Sequence, residues 1–258
     1  MYLGLAWHFW NTRWRRQGHA GLRGWERSAL LAALVLHGWL VYDGVFGAEL
    51  RFGFAQALSV MMFLGVATYW IESLFYELEG MLPLVLPLAA LAAPLPALFP
   101  GLVLTGAHAQ ATEFKLHLAL AMIAYGLFVI ALLHATLMAL AERQLHRKGA
   151  AAFPRLPPLL TLETLLFRMI GAAFVFLTLT LVTGIAFSET LFGRALRFDH
   201  KTVFALLSWV TFGLLLAGRL RYGWRGRTAL RWTLTGFVML LLAYVGSRFV
   251  LEVLLGRS

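Results

Sequence analysis

The chain has no cysteine. This excludes a disulfide framework, an iron–sulfur cluster, a thiolate zinc site, a catalytic thiol and thioether attachment of haem to this chain. Charge is scarce as well: Asp, Glu, Lys and Arg make up 13% of the 258 residues, against about 25% in soluble domains. Apolar residues reach 60%, where a soluble domain carries about 45–50%. No soluble core could hide that much apolar side chain, whereas a bilayer accepts it at about 20 residues per spanning helix. A single water-soluble domain is excluded, and the chain reads as an all-α, polytopic transmembrane helical bundle.

Seven full spans are expected, at 28–46, 54–71, 82–98, 114–140, 162–187, 202–218 and 232–255. Ahead of them, residues 1–10 are apolar and aromatic but too short to span, and Arg13, Arg15 and Arg16 follow. A signal peptide carries its positive charge before the apolar run, so this stretch reads as a truncated first helix or as an interfacial anchor. Residues 1–27 are then a partial helix plus a basic cytoplasmic segment, and 1–258 a single integral membrane domain.

Acidic residues number 12 against 22 Lys and Arg, a net charge of +10. Most of the basic residues stand between apolar spans, which is a signature of topology rather than of nucleic-acid binding. Three clusters, Arg13 to Arg27, Arg143 to Arg155 and Arg219 to Arg231, fall on one side of a seven-span chain. That side is expected to be the cytoplasm, leaving 47–53, 100–113, 188–201 and the C-terminus on the outer face. Pro83, Pro87, Pro94 and Pro96 should kink or shorten the third span and could line a cavity.

Ionisable side chains within spans are costly and so mark candidate sites. His8, His19 and His146 lie in basic or interfacial segments and are expected to be solvated; His108 lies in an outer loop. His117 opens the fourth span from the outer side and His200 precedes the sixth from the same side. On neighbouring helices the two imidazoles could approach one iron from opposite sides; taken singly, each is more plainly an interfacial hydrogen-bonding residue. His37 lies near the midplane, where a lone histidine can equally join two helices. His134 follows His117 by 17 residues, about 25 Å along a helix at 1.5 Å per residue, so they cannot share a metal. Arg248 and Glu252 can form an i,i+4 ion pair, or Arg248 can meet a ligand carboxylate in a bidentate fork. Arg168 is explained by snorkelling, and Trp39, Trp70, Trp209, Trp224 and Trp232 by interfacial belts. No catalytic constellation stands out, and a non-enzymatic protein is expected.

The segments DHKTVFALLSW from Asp199, GWRGR from Gly223, AYVGSR from Ala243 and LHLALAMIAY from Leu116 together resemble the cytochrome c assembly protein family. That family includes the haem-handling CcsA and CcmC proteins and the smaller HemX-like and YpjD-like membrane proteins. With Leu36-His37 the resemblance covers nearly the whole chain and points to the YpjD-like branch. It implies a non-covalent haem near the outer face, held in support of cytochrome c maturation, with cytochrome c assembly components as partners. His117 matches the family's outer-face axial ligand. Asp199 and Lys201 match the end of a Trp-Asp-Pro-Lys loop, in which His200 itself has no counterpart; His200 is nevertheless the first choice for the partner ligand. His37 matches a span histidine of the YpjD-like branch, and Arg248 is the candidate for a haem propionate. The chain departs from the pattern in having no tryptophan at 188–200, no second outer-face histidine near its C-terminus, and Ala217 and Arg219 near where a span histidine is expected. Those departures leave open a cofactor-free accessory or regulatory subunit of a transporter or assembly complex, and more remotely a secondary transporter.

Overall fold

The computed structural model describes residues 1–15, 21–46, 50–104, 111–145, 158–192 and 199–255. Helix α1 (Tyr2–Phe9) runs on through a wide turn at Trp10–Arg15. Then come α2 (Gly24–Phe46), α3 (Phe54–Glu72), α4 (Leu82–Ala92) and a single turn α5 (Leu95–Leu98). The long helices α6 (Thr112–Leu145) and α7 (Leu159–Phe192) follow, and then α8 (His200–Tyr222) and α9 (Gly226–Leu241). Beyond α9 the chain stays helical through wide turns at Leu242–Gly246 and Val250–Leu254. Among the described residues seven helices are long and apolar enough to cross a membrane, each overlapping one expected span. The third breaks between α4 and α5 at Pro94, as a ring without an N–H requires.

The most extensive packing is α6 on α7, with α3 against the other side of α6. Without a hydrophobic drive between helices in lipid, close approach depends on small residues. At Gly126 a Cβ would lie 2.6 Å from the Leu64 Cβ, and Gly65 sits on the facing helix against Val129. On the other flank Phe128 of α6 stacks on Phe212 of α8 with ring centres 3.8 Å apart, and Gly236 of α9 leaves room for the Phe212 ring. The Ser208 hydroxyl donates to the Gly236 carbonyl at 2.9 Å, tying α8 to α9.

One end of the bundle is closed by a two-stranded antiparallel ribbon, β1 (Arg51–Phe52) and β2 (Leu102–Val103), in register Arg51↔Val103. Gly101 turns the chain into β2 at φ +73°, where a side chain would also meet Gln56. Gln56 donates to the Pro100 carbonyl at 2.5 Å. Glu252 reaches the start of α3 and accepts from the Phe54 N–H, a carboxylate on the positive end of a helix dipole. The expected Arg248–Glu252 ion pair therefore does not form: among the described residues no such pair lies within 4 Å, because Glu252 is drawn to α3.

At the opposite end, Glu26 is fully buried and accepts from the Arg13 guanidinium at 2.7 Å, the Arg23 N–H at 2.8 Å and His8 at 2.8 Å. A Glu in the first turn reaching back to the preceding N–H is half of a capping box; here it also fastens α1 to α2. His8 is thus held by Glu26 rather than solvated, which corrects the expectation drawn from its basic surroundings. His19 and His146 lie outside the described residues. Helix α1 buries Tyr2, Leu5, Ala6 and Phe9, packing chiefly on α4, so it is part of the bundle and not an anchor beside it.

Gly126→Ala should force α3 and α6 apart and destabilise by about 1–3 kcal/mol. Gly171→Ala in α7, where a Cβ meets nothing within 4 Å, should be neutral or stabilising by up to about 1 kcal/mol. Thermal unfolding of the two variants in detergent checks the contrast.

Candidate functional site

A cavity of about 710 Å³ opens between α6, α7, the start of α8 and the helical stretch after α9, with Phe52 and Leu104 of the ribbon at its edge. Clefts that hold small molecules and cofactors run from about 300 to 1,000 Å³. Its walls are largely apolar, with Phe114, Met122, Leu177, Leu181 and Phe187 among them. The polar groups are few: His117, Tyr125, Thr180, Asp199, Lys201, Thr202, Tyr244 and Arg248. The proline-bearing α4 contributes nothing to the wall.

His117 sits near the start of α6, and its Nδ1 lies 3.1 Å from the Thr183 hydroxyl of α7. Arg248 reaches the same cavity from the far end of the last helical stretch. Its guanidinium carbon stands 5.8 Å from the Tyr244 ring centre, it hydrogen-bonds the Tyr244 side chain, and its Nε is buried without a partner. Tyr125 donates to the Leu240 carbonyl at 2.5 Å, just before the wide turn at Leu242–Gly246. That turn, and the side chains it carries, are thereby pinned to α6. Wide helical turns recur at functional sites.

Asp199 is the N-cap of α8: one carboxylate oxygen accepts from the Thr202 N–H at 2.9 Å and its hydroxyl at 3.0 Å. The cap sets where α8 starts, and with it the direction in which Lys201 and Thr202 meet the cavity. His200, between them, is exposed and is not on the cavity wall. The structure brings His117 and Arg248 together and adds Lys201, which its neighbours in sequence did not single out as a site residue. The only signal for Lys201 was its match to the Asp-Lys pair of the family loop.

His37 lies elsewhere. It is buried between α1, α2 and α3, with Nδ1 3.2 Å from the Tyr2 hydroxyl and Nε2 3.0 Å from the Ser59 hydroxyl. Both ring nitrogens are engaged, so it joins helices. His134 is also apart from His117, on the same helix; its Nδ1 donates to the Ile130 carbonyl at 2.9 Å and its Nε2 lies 3.5 Å from buried Glu72. Arg168 is exposed and donates to the Tyr76 hydroxyl at 3.3 Å. Of the tryptophans, Trp39 is exposed, Trp70 has a buried Nε1 without a partner, Trp209 donates to Thr178 at 2.9 Å and stacks on Phe174, and Trp224 stacks on Trp232. None of these five lines the cavity. His108 lies outside the described residues, as does most of the tryptophan-free stretch after residue 192.

The cleft thus combines apolar walls with one imidazole, two cations and the Asp199 carboxylate, a composition suited to an amphipathic ligand. The sequence profile of the cytochrome c assembly protein family matches residues 24–255, and the chain belongs to that family. The inner membrane protein YpjD of Escherichia coli (strain K12) is 30% identical over 247 residues, covering 90% of this chain and 89% of that protein. An uncharacterized 28.8 kDa protein of Azospirillum brasilense is 37% identical over 177 residues, covering 62% of this chain and 65% of its own length. The cytochrome c biogenesis protein CcsA of Prochlorococcus marinus (strain MIT 9515) is 35% identical over 89 residues, 34% of this chain and 28% of that protein. No solved structure is significantly similar. The family is one of assembly proteins, and a non-catalytic role goes with membership.

Burial opposes ionisation of Asp199, but the two Thr202 hydrogen bonds and the neighbouring charges of Lys201 and His200 outweigh it and hold the carboxyl below its usual range. A lowered folded pKa means stability that is present above the unfolded value, near pH 3.9, and lost as pH falls through the folded one. Asp199→Ala should cost about 1 kcal/mol at neutral pH. Asp199→Asn should retain most of the cap and lose this acid-side dependence, as followed by thermal unfolding between pH 7 and pH 3.

Proposed function

We propose that this protein binds or handles haem near the outer face of a bacterial-type inner membrane in support of cytochrome c maturation, acting as one integral membrane domain. The observation that carries the reading is that a single apolar cavity unites His117 with Arg248 and Lys201. Similarity to CcsA, a cytochrome c biogenesis protein, and to the inner membrane protein YpjD supports both the ligand and the location. The basic clusters at the end opposite the cavity support the cytoplasmic assignment of that end.

The residues fit such a group. Haem, when bound, supplies an iron that takes an imidazole nitrogen, and two propionate carboxylates. His117 presents that nitrogen. Arg248, with a buried Nε that lacks a partner, presents a guanidinium to a carboxylate, and Lys201 adds a second cation on the same wall. Phe52, Phe114, Phe187 and Tyr244 keep water from the apolar faces. His117 is the one imidazole on the cavity wall; His200, exposed but next in sequence to the wall residues Asp199 and Lys201, would have to turn inward to supply a second nitrogen. The reading does not call on His37, whose ring nitrogens are taken by Tyr2 and Ser59. Cytochrome c assembly components are the expected protein partners.

Titration of the detergent-purified protein with haemin, followed by the Soret band, tests this. Wild type should give a ligated spectrum, His117→Ala should lose or shift it, and His200→Ala should change the spin state if His200 is the second ligand. Arg248→Gln should weaken binding by about tenfold or more, since a hydrogen bond to a charged group contributes about 1.5–3 kcal/mol. A folded wild type that takes up no haem overturns the reading and leaves the cofactor-free accessory subunit.

A further inference from the structure

The Thr183 hydroxyl has one proton to give. Its oxygen lies 2.8 Å from the Leu179 carbonyl, one turn back in α7, and 3.1 Å from the Thr180 carbonyl. The Leu179 carbonyl is the nearest of its partners, and Thr136, Thr164 and Thr178 make the same one-turn bond at 2.8 Å, so the hydroxyl proton is placed on the backbone and the oxygen turns its lone pairs to the ring. His117 Nδ1 stands 3.1 Å from that oxygen. With the proton so placed, the contact needs an N–H at Nδ1, because two lone pairs do not make a hydrogen bond. The Thr180 carbonyl, which can only accept, also takes a hydrogen bond from the His117 ring, so the ring N–H faces α7; a neutral imidazole has a single N–H, which leaves Nε2 bare. The next residue completes the fit. A Cβ at Gly184 would stand 3.1 Å from the His117 Cε1, the ring carbon between the two nitrogens. A side chain there would push the ring back by a few tenths of an ångström, so the glycine lets the ring edge lie close against α7 while Thr183 holds it.

We infer that the Thr183-Gly184 pair positions His117, fixing it as the Nδ1–H tautomer so that Nε2 offers its lone pair to an electron-pair acceptor in the cavity. Thr183 is a positioning residue that acts through the imidazole and touches no ligand itself. Outer partners of this kind fix the tautomer and ring orientation of metal-binding histidines, and losing one costs about 10–100-fold in affinity. The inference rests on the haem reading only for the identity of the acceptor; the tautomer does not depend on it.

Two measurements separate the inference from that reading. Nitrogen NMR of histidine-labelled, ligand-free protein, with the His117 signals assigned by their absence in His117→Gln, should show Nδ1 protonated and Nε2 bare. Thr183→Val should lose this preference and Thr183→Ser should keep it. In haemin titrations, Thr183→Val should bind about 10–100-fold more weakly, with Thr183→Ser close to wild type. A proton on Nε2 in the wild type overturns the inference. So does a Thr183→Val variant that matches wild type in both tautomer and affinity. If wild type takes up no haem, the haem reading fails while the NMR result still decides the tautomer. If Thr183→Val does not fold, the wild-type tautomer decides alone.

Discussion

A hydrocarbon interior offers a polar atom no water to bond, so each polar side chain carried into the bundle needs a partner within the protein. Most of the polar groups in this chain meet that demand by joining helices. His37 ties α1 and α3 to α2 through Tyr2 and Ser59, Glu26 gathers Arg13, His8 and the Arg23 N–H, and Ser208 reaches the Gly236 carbonyl. Set against these, the groups left over stand out. Arg248 keeps an unpartnered buried Nε, and it does so beside the same cavity that holds His117. Buried polar atoms of Gln56, Tyr69, Glu72 and Thr233 among others also lack a partner, but of these residues Arg248 is the one that lines the cavity.

That incompleteness is built by the rest of the fold. Glu252 is the natural partner of Arg248 four residues earlier, but the start of α3 has no side-chain cap of its own and takes the carboxylate instead. Tyr125 holds the Leu240 carbonyl, which anchors the wide turn from which Tyr244 projects, with Arg248 in the helical turn that follows. Glycines at 65, 126 and 236 draw α3, α6, α8 and α9 together elsewhere. The cavity that holds His117 and Arg248 lies at one end, between the start of α6 and the start of α8.

Much of this could be read from the residues in order. Seven apolar runs and their basic flanks specify the spans, since a bilayer of fixed thickness imposes both length and composition. The proline break in the third span followed from the missing N–H. His117 and Arg248 were singled out, one from its place at the mouth of a span and its family match, the other as a cation inside one. Lys201, Tyr244 and Thr183 were not singled out as site residues. A threonine in an apolar helix is ordinarily explained by bonding its own backbone, which Thr183 also does, and nothing in its neighbours marks a second bond to a helix 66 positions away in sequence. His8 and the Arg248–Glu252 pair were misjudged for one reason: local spacing suggested their partners, while long-range packing supplied nearer ones.

The amino-acid sequence by itself therefore determined the class of protein, the number of spans and the short list of costly polar residues, because transfer into lipid is a property of each segment alone. Only the tertiary structure decided which of those residues are satisfied and which are left facing a cavity. A hydrogen bond needs two groups at one point in space, and here those groups come from different helices. His37 and His117 illustrate the division: both are histidines in apolar spans, yet one has both nitrogens occupied by neighbouring helices and the other has one nitrogen held and one left open.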